Sequence, residues 1–495
     1  VTPVGNIAGE ADAAPPEGPA GAPADLALPE EYGELMEPWT GDLDGMIERR
    51  AIRVLVVHNP MMYSIDGGEQ RGVTYELLRE LEQYLNGELK RRTLRVQIYP
   101  IPVPRDRLLP ALVEGRGDVA AANLTITPER LDSVDFSDPL MTDVSEILVS
   151  GPSAPPVGSL EELSGRELYV RSSSSYHESL VELGKNLAAS GRKPVSVRPA
   201  SENLEDVDIL EMVNAGLVPM TIVDSHKATF WAQVLDGIRL HPDLAVRRGG
   251  RIAWAFRKES PRLAEMLNGF VKRYKKGTLL GNVILQRYLK QVDWARNVIA
   301  EEELQKYDQV AELFERYAGL YEFEYLMIVA QAYQESGLDQ SKRSRAGAVG
   351  IMQILPATAA DPSVGIPGIE VLENNIHAGV KYLRFITDTY LDEDGLDPLN
   401  RRLLAFACYN AGPAKIRRVR RQAEQMGLDP DVWFENVEVA AARHIGREPV
   451  RYVGNIYKYY LAYQMTEERR AAQEAARQEA IGTGGSRPHG GTLSR

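Results

Sequence analysis

A disulfide is the first thing this 495-residue chain has no means to make. It holds one cysteine, Cys408, so no internal bridge can form. That residue lies in the apolar run LLAFACYN and reads as a small buried side chain rather than a nucleophile. A chain without disulfides fits either redox compartment, so cysteine usage does not decide location. Histidine is scarce, seven in all, with no ligand spacing; no metal site and no cofactor is expected. Positive charge is in deficit: 57 Lys and Arg against 70 Asp and Glu give a net charge of −13, which argues against nonspecific nucleic-acid binding. No apolar run is long enough to cross a bilayer. The numbered chain shows no initiator Met, signal peptide or N-terminal cysteine for lipid attachment, and its start at Val1 is compatible with a processed mature chain.

What is present is ordinary for a globular protein: 44% apolar and 26% charged residues, with length enough for two large domains or three smaller ones. Residues 1–45 include the stretch APPEGPAGAPADLALP, which cannot bury a core and is expected to be a disordered leader. From Ile52 onward strands and helices alternate. Arg53–Val57, Leu94–Tyr99, Asp118–Ala122, Glu167–Val170 and Val218–Val223 read as strands, and 73–85, 107–114 and 176–188 as helices. This alternation predicts an α/β domain with parallel organisation over 46–290. Residues 291–306 read as a linking helix, and 307–464 as a mainly α domain. One apolar stripe there is Leu372, Ile376, Val380, Leu383 and Ile386; the last is Tyr452, Ile456, Tyr459, Tyr460 and Tyr463. Residues 465–495, charged and then Gly-rich, are expected to be a disordered tail. The basic cluster Lys415, Arg417, Arg418, Arg420 and Arg421 reads as a solvated helix face, or as a contact for an anionic polymer.

The stretch QAYQESGLDQSKRSRAGAVGIMQILPA, residues 331–357, carries the most chemistry. Phe323, Met327, Ala330 and Gln334 fall at helical spacing, and Gly337 is a good helix stop. Glu335 then sits at the negative end of a helix dipole, which disfavours its ionised form; apolar surroundings would disfavour it further. A glutamic acid kept protonated near neutral pH can act as a general acid. The competing reading is a surface glutamate on a helix end.

Downstream residues add to this. Ser336, Ser344, Gly347, Gly350-Ile351-Met352-Gln353, then Tyr409-Asn410-Ala411-Gly412, and later Glu448 with Arg451-Tyr452-Val453, stand in the order of the catalytic motifs of the soluble lytic transglycosylases. The segment from Glu335 to Tyr463 resembles that family, which has a lysozyme-like fold of the goose type. Ile351 for Leu and Cys408 for Ala are mild departures. The resemblance implies that one glutamate, Glu335, makes both proton transfers, cleaving between N-acetylmuramic acid and N-acetylglucosamine to leave a 1,6-anhydro end. It also implies that Ser344 hydrogen-bonds the Glu335 carboxyl, that Met352 and Gln353 line sugar sites, and that Tyr409, Asn410 and Tyr452 position sugar and acid; the competing readings are Met352 as core filler, Asn410 as a helix cap and Tyr452 as core with a satisfied hydroxyl. Gly347 and Gly350 would allow close approach of glycan. Asp339, the nearest second carboxylate, has no role in the family, and a loop role is preferred.

The earlier domain resembles the periplasmic solute-binding proteins for polar amino acids. The resemblance rests on Gly72, Tyr75 and Glu76; on Gly115, Gly117, Asp118 and Ala120; on Asn123-Leu124-Thr125-Ile126-Thr127-Pro128-Glu129-Arg130 with 134–139; and on 252–258. It implies two lobes, roughly 50–147 plus 246–290 and 148–245, joined by two crossovers. Arg130 would clamp a ligand carboxylate with Asn123, Thr125 and Ser173 of the Ser172–Ser175 run, and Asp224 would meet an ammonium. The alternative for Arg130 is an ion pair with Asp135 or Asp138.

The module order resembles the membrane-bound lytic transglycosylase F group. The expected whole is a multidomain protein: an α/β two-lobed periplasmic-binding-protein-like domain followed by a mainly α lysozyme-like domain. The expected activity is lytic cleavage of peptidoglycan glycan strands, with a muropeptide or amino acid in the sensor domain, periplasmic location and peripheral outer-membrane association. A hydrolase using the same Glu335, or a non-catalytic cell-wall sensor, are the alternatives.

Overall fold

The computed structural model describes residues 37–66, 69–279, 281–282, 284, 301–392 and 395–484. The first of these already belong to the folded body. Trp39 N donates to Gly115 O at 2.9 Å, and the Arg49 guanidinium lies 4.0 Å from the Trp39 ring centroid. Asp42 caps the helix Leu43–Glu48. Residues 38–45 are therefore packed, not part of a disordered leader; residues 1–36 lie outside the described residues.

Eleven strands are described: β1 (Ala51–Val56), β2 (Ser64–Asp66), β3 (Glu69–Arg71), β4 (Gln97–Pro102), β5 (Val119–Thr125), β6 (Val134–Phe136), β7 (Met141–Ser150), β8 (Glu167–Arg171), β9 (Ser196–Ala200), β10 (Met220–Asp224) and β11 (Arg239–Arg257). The main sheet runs β10-β7-β11-β5-β1-β4, with β6 beside β11. β1 is buried along its whole length between two neighbours, and its residues are apolar except for Arg53. It pairs in parallel with β4 and β5. β11, however, is antiparallel to β5, β6 and β7, and β7 to β10. The expected parallel organisation thus holds only for part of the sheet. The reason is the path of the chain: β7 leaves the first lobe and β11 returns to it, so the two crossovers must run in opposite directions. Their register takes them from Ile252 opposite Met141 in one lobe to Arg239 opposite Ser150 in the other.

A charge cluster holds the base of the first lobe. Asp118 is fully buried and accepts from Arg53 N at 2.8 Å and from Arg53 Nη2 at 3.0 Å. Arg49 adds a contact at 2.5 Å and Arg257 one at 3.5 Å. A lone buried carboxylate would cost several kcal/mol, and three guanidinium groups remove that cost.

The second domain is helical: Glu301–Leu320, Tyr325–Ser336, Pro356–Ala360, Leu372–Tyr390, Pro398–Ala411, Pro413–Gln425, Glu438–His444 and Arg447–Gly484. Of the expected linking helix, 291–300 lie outside the described residues and 301–306 open the first of these helices. The stripe Ile376, Val380, Leu383 and Ile386 is fully buried. In the basic cluster Arg420 is buried and bound to Pro430 O at 2.9 Å, while Lys415, Arg417, Arg418 and Arg421 are exposed.

The expected disordered tail is corrected. Residues 465–484 continue the helix that begins at Arg447. Ala476 packs with Ala200, Leu204 and Ile209 of the second lobe, and Arg477 pairs with Asp208 at 2.8 Å and Glu211 at 2.5 Å. Charged residues at every turn disguised this helix as a solvated tail; its partners are acids some 265 residues earlier in the chain, the buried Asp208 among them.

Candidate active site and sensor cleft

Glu335 lies in the last turn of the helix Tyr325–Ser336, which buries Leu326, Met327, Ile328, Val329 and Ala330. Gly337 ends the helix at φ +72°, a left-handed conformation that costs glycine little, and its N–H returns to Tyr333 O at 2.8 Å. Burial raises the Glu335 carboxyl from 4.5 to about 7, against the opposing effects of a Tyr452 hydrogen bond and the Lys342 charge. Tyr452 donates to Glu335 Oε1 at 2.5 Å and accepts from Gln331 Nε2 at 3.4 Å. The buried Tyr452 phenol is itself pushed well above its ordinary range, first by burial and then by the Glu335 charge. Asp339, by contrast, is exposed and accepts from Ser341 N at 2.8 Å and Ser341 Oγ at 2.6 Å. It is a loop residue.

The Gly-Ile-Met-Gln segment is held from behind. Asn375, fully buried on the helix Leu372–Tyr390, donates to Val349 O and Ile369 O, both at 2.8 Å, and accepts from Met352 N at 2.9 Å. Gly350 is at φ +77°, and a Cβ there would fall 2.4 Å from Asn375 Nδ2. Its missing side chain serves this packing rather than close approach of a glycan. Met352 has no exposed surface; its chain packs on Gly379, where an added Cβ would lie 2.6 Å from Met352 Cβ. It is core rather than the sugar-lining residue expected, although its carbonyl accepts from Tyr409 Oη at 2.9 Å. Gln353 turns its Nε2 back to Gly350 O at 2.8 Å and Lys342 O at 3.2 Å.

Ser344 is exposed, and its Oγ accepts from Ala348 N at 3.0 Å. Among the described residues no hydrogen bond joins it to Glu335; the tight turn 344–348 uses the hydroxyl, and Tyr452 takes the expected place. Tyr409 is close enough for the Glu335 charge to push its phenol further up after burial. Asn410, half-buried near the helix end at Gly412, has no side-chain hydrogen bond among the described residues. The spacing of the sequence missed Asn375 and Lys342, whose Nζ donates to Ser336 O at 3.1 Å. An asparagine inside an apolar helical stripe was the available signal. Cys408 is buried, with its thiol pushed up to about 12.

Between the lobes lies a cavity of about 160 Å³, lined by Arg105, Asn123, Arg130, Ser175, Asp224 and Lys227 among others. Arg130 donates to Thr125 O at 3.0 Å and, across the cleft, to Ser173 O at 3.1 Å; its charged partner is Glu178 at 3.4 Å, not Asp135 or Asp138. Asn123 bridges to Asp224 Oδ2 at 3.1 Å. Asp224 pairs with Lys227 at 3.0 Å, while its Oδ1 is buried without a partner. Thr125 Oγ1 accepts from Ser175 at 3.4 Å. Ser173 is tied to Glu202 through its N–H at 3.0 Å and its Oγ at 2.5 Å. The bidentate pair Arg105–Glu205, at 3.0 and 2.7 Å, closes the lobes and was not foreseen.

A helical domain with one buried, proton-retaining glutamic acid, joined to a two-lobed cleft, defines a lytic transglycosylase carrying a solute-binding module. Residues 52–291 match the family model of bacterial extracellular solute-binding proteins, family 3, and residues 312–430 that of the transglycosylase SLT domain. A membrane-bound lytic murein transglycosylase F of Maricaulis maris is 33% identical over 377 residues, covering 71% of this chain and 78% of its own. One from Pseudomonas fluorescens is 28% identical over 441 residues, 84% of this chain and 85% of its own. The chain belongs to the membrane-bound lytic murein transglycosylase F family. A solved ancestral arginine-binding protein bound to arginine aligns at 23% identity and TM-score 0.40 over 48% of this chain and 97% of that chain.

Proposed function

We propose that Glu335 is the one acid–base group in non-hydrolytic cleavage of the β-1,4 bond between N-acetylmuramic acid and N-acetylglucosamine. The observation that carries this is a buried carboxyl raised to about 7 and oriented by the Tyr452 phenol. At neutral pH a substantial fraction keeps its proton. Glu335 gives that proton to the glycosidic oxygen as the bond to C1 breaks. The substrate's own N-acetyl oxygen relieves the charge developing at C1. The Glu335 carboxylate then takes the proton of the muramic 6-hydroxyl, whose oxygen closes on C1, so the acid is restored and no water is consumed. Two-carboxylate glycosidases need a second acid across the bond; Asp339, engaged with Ser341, does not serve as one. Tyr409 and Asn410 border the site, and the Asn410 amide is available to a sugar. Glu335→Gln should retain the fold and lose cleavage of purified peptidoglycan; undiminished cleavage would overturn the assignment.

The cleft is read as a sensor for an amino acid or a peptide-stem fragment. Arg130 and Thr125 would face its carboxylate, and the unpartnered Asp224 Oδ1 its ammonium. The helix Arg447–Gly484 supports regulation, because it carries Tyr452 near one end and Arg477, on the second lobe, near the other. The location is read as periplasmic and peripheral to the outer membrane, supported by peptidoglycan as the proposed substrate; no helix among the described residues is long and apolar enough to cross a membrane.

A further inference from the structure

A strongly basic concavity of this acidic chain lies outside the sensor cleft. It lies where the first lobe meets the catalytic domain, a cavity of about 380 Å³ lined by seven basic and two acidic side chains. The acids are spent. Glu438 pairs with Arg50, and Glu82 takes Lys458 at 3.1 Å and Arg95 at 3.8 Å. Four arginines remain without a carboxylate among the described residues: Arg79 and Arg92 from the lobe, Arg447 and Arg451 from the start of the last helix. Two buried polar atoms in the lining, Arg95 Nε and Gln97 Oε1, have no hydrogen-bond partner either. Structural ion pairs would leave neither surplus charge, an orphaned donor (Arg95 Nε) nor an orphaned acceptor (Gln97 Oε1), so the cavity has the character of a site for an anionic ligand that also carries hydrogen-bond donors.

Its position says which anion. Arg451 precedes Tyr452, which holds Glu335. Asn455, also in the lining, donates to Gln334 Oε1 at 3.0 Å, one residue from Glu335. A glycan strand seated on Glu335 carries, on each muramic acid, a lactyl-linked peptide with free carboxylates. We infer that this interdomain cavity is a substrate subsite that binds the carboxylates of a peptide stem on the strand being cut. The inference rests on the proposed role of Glu335. It gives the first lobe a direct part in substrate selection, distinct from any ligand between the lobes, because Arg79 and Arg92 lie outside the cleft that holds Arg130 and Asp224. Guanidinium forks suit paired carboxylate oxygens better than single ammonium charges would.

The test compares kcat/KM of the full chain on stem-bearing strands with that on strands stripped of their peptides by an amidase. The unaltered chain should favour stem-bearing strands, and the double variant Arg79→Gln, Arg92→Gln should reduce that preference about tenfold. Both residues are exposed and unpaired, and an unchanged melting temperature would show that the fold is intact. A preference equal to that of the unaltered chain would overturn the subsite. Failure of the unaltered chain to release anhydro ends from either substrate would instead contradict the Glu335 assignment.

Discussion

Tyr452 donates to Glu335 Oε1 at 2.5 Å from a helix that begins at Arg447, more than a hundred residues after the helix that carries the acid. Two effects oppose each other at this pair. Burial favours the protonated carboxyl; the phenol favours the ionised one; burial wins and the group rests at about 7.

The first expected outcome is a pH profile. Protonated Glu335 begins the reaction, so kcat/KM should fall as pH rises through about 7. Tyr452→Phe removes the hydrogen bond that lowers the value, so the falling limb should move to higher pH. The maximum should drop by roughly tenfold to a hundredfold through lost orientation. An unmoved limb would mean that the phenol does not tune the acid.

Stability should respond in a linked way. The folded value of Glu335, about 7, lies above its ordinary 4.5, so the folded state holds more protons between these limits and loses stability as pH rises through them. Above about 7 the buried charge costs its full amount, on the order of 3 to 4 kcal/mol. Glu335→Gln should therefore melt higher than the unaltered chain at pH about 8 and nearly equal to it at pH about 4. Denaturant titrations at the two pH values check this.

Asn375 holds two backbone groups of the active-site loop, Val349 O and Met352 N, and one just before its own helix, Ile369 O. Asn375→Ala should cost about 2–4 kcal/mol, because buried carbonyls and an N–H lose their partners. It should also depress cleavage, since Met352 O supports Tyr409. Chemical denaturation and turnover measured on the same preparation would reveal either effect without the other.

In the sensor cleft, Asp224→Asn removes a carboxylate charge that Lys227 already shares and that the proposed ligand's ammonium would meet through Oδ1. Calorimetry with free stem peptide should show binding weakened about tenfold or more. Equal affinity would remove Asp224 from the ligand site.

Arg477→Ala tests the helix that joins sensor to catalyst. Arg477 is partly exposed, so the loss of stability should be small, about 1 kcal/mol. Any change in cleavage rate on adding stem peptide should shrink toward none. Retention of the full ligand effect would assign the coupling to another route.

The sequence disclosed what is local and concealed what is distant. Glu335 and its glycine stop are neighbours, and their helix could be read directly. The strands Ala51–Val56 and Val119–Thr125 were legible because each is a mostly apolar run, whereas the short polar strands Ser64–Asp66 and Glu69–Arg71 carry no such signal. Met352 was expected at a sugar site through the family resemblance alone, and a motif does not tell a side chain facing a groove from one packed on Gly379. Ser344 was misread because its hydroxyl closes a turn whose shape depends on Gly347 and Ala348. Asn375 acts on a loop some 20 residues earlier, and Arg477 on acids far upstream; no window of sequence contains both partners. The direction of β11 followed from the path between lobes, which alternation of strand and helix does not encode.

The central claim, that one carboxyl gives its proton to the departing oxygen and then takes one back from the muramic 6-hydroxyl, is tested most directly by digesting peptidoglycan in heavy-oxygen water and weighing the fragments. The expected result is muramic ends lighter by one water and free of heavy oxygen, lost altogether with Glu335→Gln. Muramic ends that carry solvent oxygen at C1 would contradict it.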